Sequence, residues 1–181
     1  MNKIGIFYGS ETGMTEAMAQ IMYRVLGDDI ASEPANVNQA RVSELLQYKA
    51  LILGAPSYGV GELPGRKTGS EYGNWEEFLF RLDDADLSGK RVALFGLGNQ
   101  QKYYDRFARS LIHLYQHFVT YGAEVIGAWS TEGYHFTRSH SVIDDKFVGL
   151  VLDHHSQPEM TTTRIISWLE QIKPGLLEKL N

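Results

Sequence analysis

Cysteine is absent from this 181-residue chain, which excludes disulfides, thiolate metal sites and cysteine-ligated iron–sulfur clusters. An intracellular, cytoplasmic setting is the resulting expectation. No apolar run approaches the roughly 20 residues of a membrane span, and the N-terminus lacks a signal peptide's basic and apolar blocks. Positive charge is in deficit: 17 Lys and Arg against 22 Asp and Glu leave a formal charge of −5, which argues against nucleic acid as a main partner. Low-complexity segments, internal repeats and a Gly-x-Ser-x-Gly nucleophile elbow are also missing. The remaining composition, 43% hydrophobic and 22% charged, suits one globular domain over residues 1–181 with an ample core.

Apolar, β-branched runs recur at Ile4–Tyr8, Ala50–Ala55, Val92–Leu97 and Val125–Trp129, with a weaker strand expected over Ile30–Glu33. Helix-like spacing fills the gaps, over Gly13–Leu26, Ala40–Gln47, Trp75–Leu82, Tyr104–Tyr121 and Thr161–Ile172. Strands too apolar to have a wet face, alternating with amphipathic helices, predict a parallel sheet covered on both sides. Two long connections break the rhythm. Residues 56–74 hold five glycines, and residues 130–148 follow the fifth strand; loops of that length are usually functional or interaction elements.

In an open α/β sheet, ligands bind at the carboxyl ends of the strands where strand order reverses. The loop after the first strand reads Tyr8-Gly9-Ser10-Glu11-Thr12-Gly13-Met14-Thr15. A strand, a small-residue loop and a helix start gather free N–H groups where the helix dipole is positive, and Ser10, Thr12 and Thr15 add hydroxyl donors. No Lys or Arg lies between Tyr8 and Gln20, and Glu11 and Glu16 are acidic, so the loop suits a phosphate without neutralising it. It lacks both the Gly-Lys-Ser/Thr of a Walker loop and the Gly-x-Gly-x-x-Gly of dinucleotide folds. A capped helix start with no ligand fits the same residues. The loops at 56–62 and 98–104 contribute Tyr58 and Tyr103. Singly each is an ordinary rim aromatic; flanking a phosphate loop, the two suggest a planar ring held between them.

Further segments fall in order: Leu51 to Pro56, Gly61-Glu62-Leu63, Phe95 to Gly98, Tyr103, Gly127 to Tyr134 and Phe147 to Asp153. With the first loop they resemble a flavodoxin of the long-chain kind over nearly the whole chain. Gly61-Glu62-Leu63-Pro64-Gly65, with Trp75-Glu76-Glu77-Phe78 after an insertion, is most similar to the nitrogenase-associated branch. The resemblance implies an α/β, doubly wound five-stranded parallel sheet of order 2-1-3-4-5, with helices on both faces and residues 130–148 inserted in the fifth strand. It implies noncovalent FMN and low-potential one-electron transport between semiquinone and hydroquinone, without substrate turnover. The implied partners are redox proteins, a reductase as donor and a low-potential acceptor enzyme, with nitrogen fixation the setting of that branch; a monomer is expected. Carried over by position, Ser10, Thr12, Gly13 and Thr15 hold the FMN phosphate with the Glu11 and Met14 backbone. Tyr103 stacks on the outer face of the flavin and Tyr58 lies at the inner face. The Gly59–Val60 peptide turns a carbonyl toward flavin N5, a role that suits a glycine because it reaches positive φ without a Cβ penalty. Pro56, Ser57, Gly61, Gly98, Asn99, Arg106 and Asp153 complete the implied set.

The chain departs from the family around the flavin. Members commonly read Gly-Asp-Gln-x-Gly-Tyr in the third loop, whereas this chain reads Gly98-Asn99-Gln100-Gln101-Lys102-Tyr103. Arg106 stands where a neutral or acidic residue is usual, Arg66 and Lys67 sit in the second loop, and the last strand is followed by Asp153-His154-His155-Ser156-Gln157. Each change alone is ordinary surface variation. Together they make the rim less negative, which implies a raised semiquinone/hydroquinone potential and a poorer match to basic partners.

His113 and His117 have the i, i+4 spacing of a zinc pair, but without Cys or an acidic third ligand a solvated helix face is expected. His154-His155 reads as loop polarity, and Asp83-Asp84-Ala85-Asp86 as a solvated helix end or a docking patch. Two other functions stay open: a flavin-dependent quinone-type reductase on the same fold, marked by steady NAD(P)H oxidation, and a flavin-free binding module, marked by refusal of FMN.

Overall fold

A computed structural model of the chain describes residues 2–57 and 61–180. Three strands are buried along nearly their whole length: β1 (Ile4–Tyr8), β3 (Ala50–Ala55) and β4 (Arg91–Leu97). Such strands need cover on both faces, and successive residues supply it by pointing to opposite sides. Ile4, Ile6, Tyr8, Ile52 and Phe95 face α1 (Met14–Leu26) and α5 (Thr161–Glu178). Phe7, Leu51, Leu53, Val92 and Leu94 face the short α2 (Val42–Leu46), α3 (Trp75–Leu82) and α4 (Ser110–Thr120).

All pairs in this sheet are parallel, and the order is β2-β1-β3-β4-β5, with β2 at Ala35–Asn36 and β5 at Glu124–Ile126. The fifth position is filled twice. β5 pairs with Arg91–Ala93 and β9 (Leu150–Leu152) with Phe95–Leu97, end to end along the same edge of β4. Between them the chain leaves the sheet and folds β6 (Trp129–Ser130), β7 (Val142–Ile143) and β8 (Lys146–Phe147) into a small antiparallel sheet of order β6-β8-β7. The excursion thus divides the fifth strand, as the resemblance implies.

Four boundaries differ most from the expectation. The strand foreseen over Val125–Trp129 breaks at Gly127, whose φ of 87° turns the chain out of the sheet and gives Trp129 to β6. The edge strand foreseen over Ile30–Glu33 contributes one bridge, Ala31 to Ile4, and regular pairing resumes at Ala35 opposite Phe7. Four residues there span three on β1, a bulge that contains Pro34, which has no N–H to give a ladder. The helix foreseen from Tyr104 begins at Ser110, because Ala108 takes a φ of 47° and the preceding residues form turns. The last helix runs on through Pro174 to Glu178. Arg91 holds that extra turn, with its Nη1 donating to the Gly175 carbonyl at 2.6 Å and to Glu178 at 2.7 Å.

Gly149 brings the chain back to β4, and a Cβ there would overlap the Leu94 carbonyl. Gly149→Ala is therefore expected to lose about 1–3 kcal/mol of stability through overpacking. Urea denaturation of the two proteins measures it, and unchanged midpoints would contradict this account of the re-entry.

Candidate functional site

Because β2 and β3 lie on opposite sides of β1, a crevice opens at the carboxyl ends of the strands. A cleft of about 360 Å³ occupies this position. Thr12 and Met14 line it from the first loop, Pro56, Ser57 and Gly61 from the second, and Gly98, Asn99, Lys102, Tyr103 and Arg106 from the third. His154 and His155 close it after β9, and Leu97, Ala108 and Leu152 form its apolar floor.

The first loop ends on Gly13, whose left-handed φ of 85° starts α1 with no side-chain cap. The Gly13 N–H donates to Ser10 Oγ at 3.0 Å, which leaves the Ser10 hydroxyl proton for another acceptor. Helix geometry leaves the first N–H groups of α1 without intrahelical partners. Below the loop, Tyr8 is buried and interacts with Glu16, and burial followed by that carboxylate pushes its hydroxyl up to about 12.

The second loop is held from behind. Trp75, fully buried, donates its Nε1–H to the Gly54 carbonyl at 2.8 Å. Asn74 Oδ1 accepts the Trp75 N–H at 2.9 Å, and Glu77 accepts from Asn74 at 2.8 Å and Arg66 at 2.9 Å. Burial pushes the Glu77 carboxyl up, but those N–H groups outweigh it and the net is below the usual value. Ser57 and Ser110 share a hydroxyl bond of 2.8 Å that pins the loop to α4. Gly61, with φ 97°, sits against the Arg109 side chain where a Cβ would collide. His113 hydrogen-bonds the Gly61 backbone.

Asn99 shapes the third loop: its Oδ1 accepts the Lys102 N–H at 3.0 Å, and its carbonyl accepts the Tyr103 N–H at 2.9 Å. Lys102 Nζ and the Arg106 guanidinium each lie 5.2 Å from the Tyr103 ring centre. Arg106 also pairs with both Asp105 oxygens, at 2.8 and 3.0 Å, while its Nε is buried with no acceptor among the described residues.

Of the residues foreseen for the site, Thr12, Met14, Pro56, Ser57, Gly61, Gly98, Asn99, Tyr103 and Arg106 line the cleft. Tyr58, Gly59 and Val60 lie outside the described residues. Ser10, Glu11 and Gly13 belong to the same loop as Thr12 and Thr15 to the first turn of α1, and none of the four is in the lining. Asp153 does not reach it either: 1% exposed, its oxygens accept the Gln100 N–H at 2.9 Å and the Ser156 N–H at 3.0 Å, which ties the third loop to the end of β9. His154 and His155, read as loop polarity, line the cleft just after β9. Tyr72 is exposed and Trp75 is in the core, so neither reaches the cleft.

The pair His113 and His117 is not a solvated face. Both are half-buried, and the His117 side chain is 11% exposed beside Asp83 at 3.7 Å and Tyr121. Burial lowers both pKa values; Arg109 adds to this at His113, and Asp83 partly opposes it at His117.

A sequence model of the flavodoxin family matches residues 6–168. The flavodoxin of Klebsiella pneumoniae is 44% identical over 177 residues, covering 98% of this chain and 100% of the relative. A Synechocystis flavodoxin is 40% identical over 176 residues, covering 97% and 99%. Among solved structures, the Fusobacterium nucleatum flavodoxin bound to flavin mononucleotide superposes with a TM-score of 0.86 at 34% identity, covering 96% of this chain and 98% of that one. The fold and cleft define a doubly wound α/β protein with a ligand crevice at its topological switch point. The chain belongs to the flavodoxin family.

Histidines with lowered pKa resist protonation only in the folded state, so stability is to fall as pH drops from above the ordinary 6.5 through their lowered values. Urea midpoints between pH 7.5 and 5.5 are expected to decline, and to decline less in a His113→Gln, His117→Gln double variant. Parallel declines would contradict the assignment.

Proposed function

We infer that the cleft binds flavin mononucleotide and that the protein carries electrons between redox partners without turning over a substrate of its own. The observation that carries this reading is the uncapped, hydroxyl-bearing start of α1, opening beside a cleft whose wall is Tyr103. The donor set fits the group. Free N–H groups and neutral hydroxyls suit a phosphate, the apolar floor and Tyr103 suit a flat ring, and the buried Arg106 Nε is a donor in need of an acceptor.

Within this reading Ser10, Thr12, Gly13 and Thr15 hold the phosphate with the Glu11 and Met14 backbone, through N–H and O–H donation alone. Tyr103 stacks on the ring from the third loop and shields it from water. Pro56, Ser57, Gly61, Gly98 and Asn99 form the walls around it, Arg106 donates at its edge, and Tyr58, Gly59 and Val60 complete the second loop. Asp153 acts from beneath, fixing the loop that carries Tyr103. Bound FMN would supply the low-potential one-electron chemistry. Lys102 and Arg106 place positive charge beside Tyr103 and so favour the accumulation of negative charge in the cleft.

The long-chain assignment is supported by the excursion between β5 and β9. Assignment to the nitrogenase-associated branch, with a low-potential enzyme of nitrogen fixation as acceptor, rests on Gly61-Glu62-Leu63-Pro64-Gly65 and Trp75-Glu76-Glu77-Phe78. A reductase is the donor, and the carrier works as a cytoplasmic monomer.

Anaerobic reductive titration of the FMN-loaded protein, followed by visible absorption, tests the reading. Two resolved one-electron steps are expected. A single two-electron step would favour the reductase, and failure to take up FMN would remove the carrier. In the same titration Lys102→Gly is expected to lower the second potential by about 10–30 mV, the scale of one screened charge. An unchanged potential would remove that role for Lys102.

A further inference from the structure

The rim beside Tyr103 has a charge opposite to that of the whole protein. Residues 99–109 and 133–143 contain four Lys or Arg against a single acid, Asp105, in a chain of formal charge −5. The two segments are laced into one surface. Thr137 and Arg138 donate their N–H groups to the Tyr104 carbonyl at 2.7 and 3.1 Å, Phe107 donates to the Arg138 carbonyl at 3.1 Å, and Ser139 Oγ donates to the Phe107 carbonyl at 2.6 Å. Lys102 and Arg138 are exposed, and neither forms an ion pair among the described residues. Between them Tyr104 is 55% exposed, one of the large apolar side chains at the surface.

We propose that this surface docks a redox protein that presents carboxylates around its own redox centre. The proposal rests on the electron-carrier reading and names its partner class. Well-separated cations around an exposed tyrosine match the Tyr and Arg anchors of protein interfaces. They are too sparse for the dense phosphate tracking that nucleic acid demands. Tyr103 and Arg106 belong to both the cleft and this surface, so a partner seated here lies against the wall of the cleft. Steering by opposite charge raises the association rate and makes it fall with salt.

Cytochrome c and its succinylated form provide one haem protein in a basic and an acidic version. The FMN-loaded, reduced protein is expected to reduce the succinylated form about tenfold faster than the native form at low salt, with the difference vanishing at high salt. Arg138→Glu, outside the cleft lining, is expected to cut the preference about threefold, while reduction of a neutral quinone reports whether the flavin itself is undisturbed. Calorimetric titration of the oxidised protein with each cytochrome is to show the same order without electron transfer. A flavin-loaded protein that prefers native cytochrome c, or a preference unmoved by Arg138→Glu, would overturn the docking proposal alone. A protein that shows no flavin absorbance after loading would overturn the carrier reading and this proposal with it.

Discussion

All-parallel pairing is the constraint on which the rest of the molecule depends. Each of β1, β3 and β4 is apolar on both faces and pairs in parallel, so successive neighbouring strands are joined by helical crossovers, and every strand then ends at the same edge of the sheet. That edge collects four loops from distant parts of the sequence. Asp153 joins the third and fourth, the Ser57–Ser110 hydroxyl pair joins the second to α4, and Trp75 Nε1 fastens α3 to the end of β3. Buried polar bonds of this kind contribute modestly when made and cost more when one partner is lost, which favours one arrangement of the loops over near alternatives.

The cleft is electrically uneven. Its first loop offers N–H groups and hydroxyls with no cation, whereas the third places Lys102 and Arg106 against Tyr103. A phosphate held by the first loop would keep its charge, and the cations would favour further negative charge at the other end. The same cations set the character of the outer surface, so cofactor tuning and partner choice would be coupled through two side chains. Asn99 belongs to this arrangement: its amide oxygen makes the turn that an aspartate could also make, but without the charge.

Much of the fold was legible because period and burial agree. Ile4–Tyr8, Ala50–Ala55 and Trp75–Leu82 match the observed elements residue for residue. The failures are places where backbone conformation overrides side-chain pattern. Ala108 is a good helix former forced to positive φ, so the apolar spacing from Tyr104 continued into turns. Gly127 divides an apolar run whose second half, Trp129, pairs in another sheet. Pro174 reads as a stop, yet Arg91, 83 residues earlier, holds the turn beyond it. In the site, loop position identified the lining of the first three loops but misjudged depth. Asp153 and Ser10 are buried polar residues that organise the cleft from behind, and sequence carries no mark that separates such a residue from one at the surface. The chemistry of His154 and His155 is unspecific, and it is their place after β9 that sets them at the cleft.

The most direct test of the account is calorimetric titration of the flavin-free protein with FMN and with riboflavin, which differ by the phosphate alone. Binding through the α1 start predicts much tighter binding of FMN, with only a weak dependence on salt because no cation holds the phosphate. Equal affinities for the two ligands would contradict it.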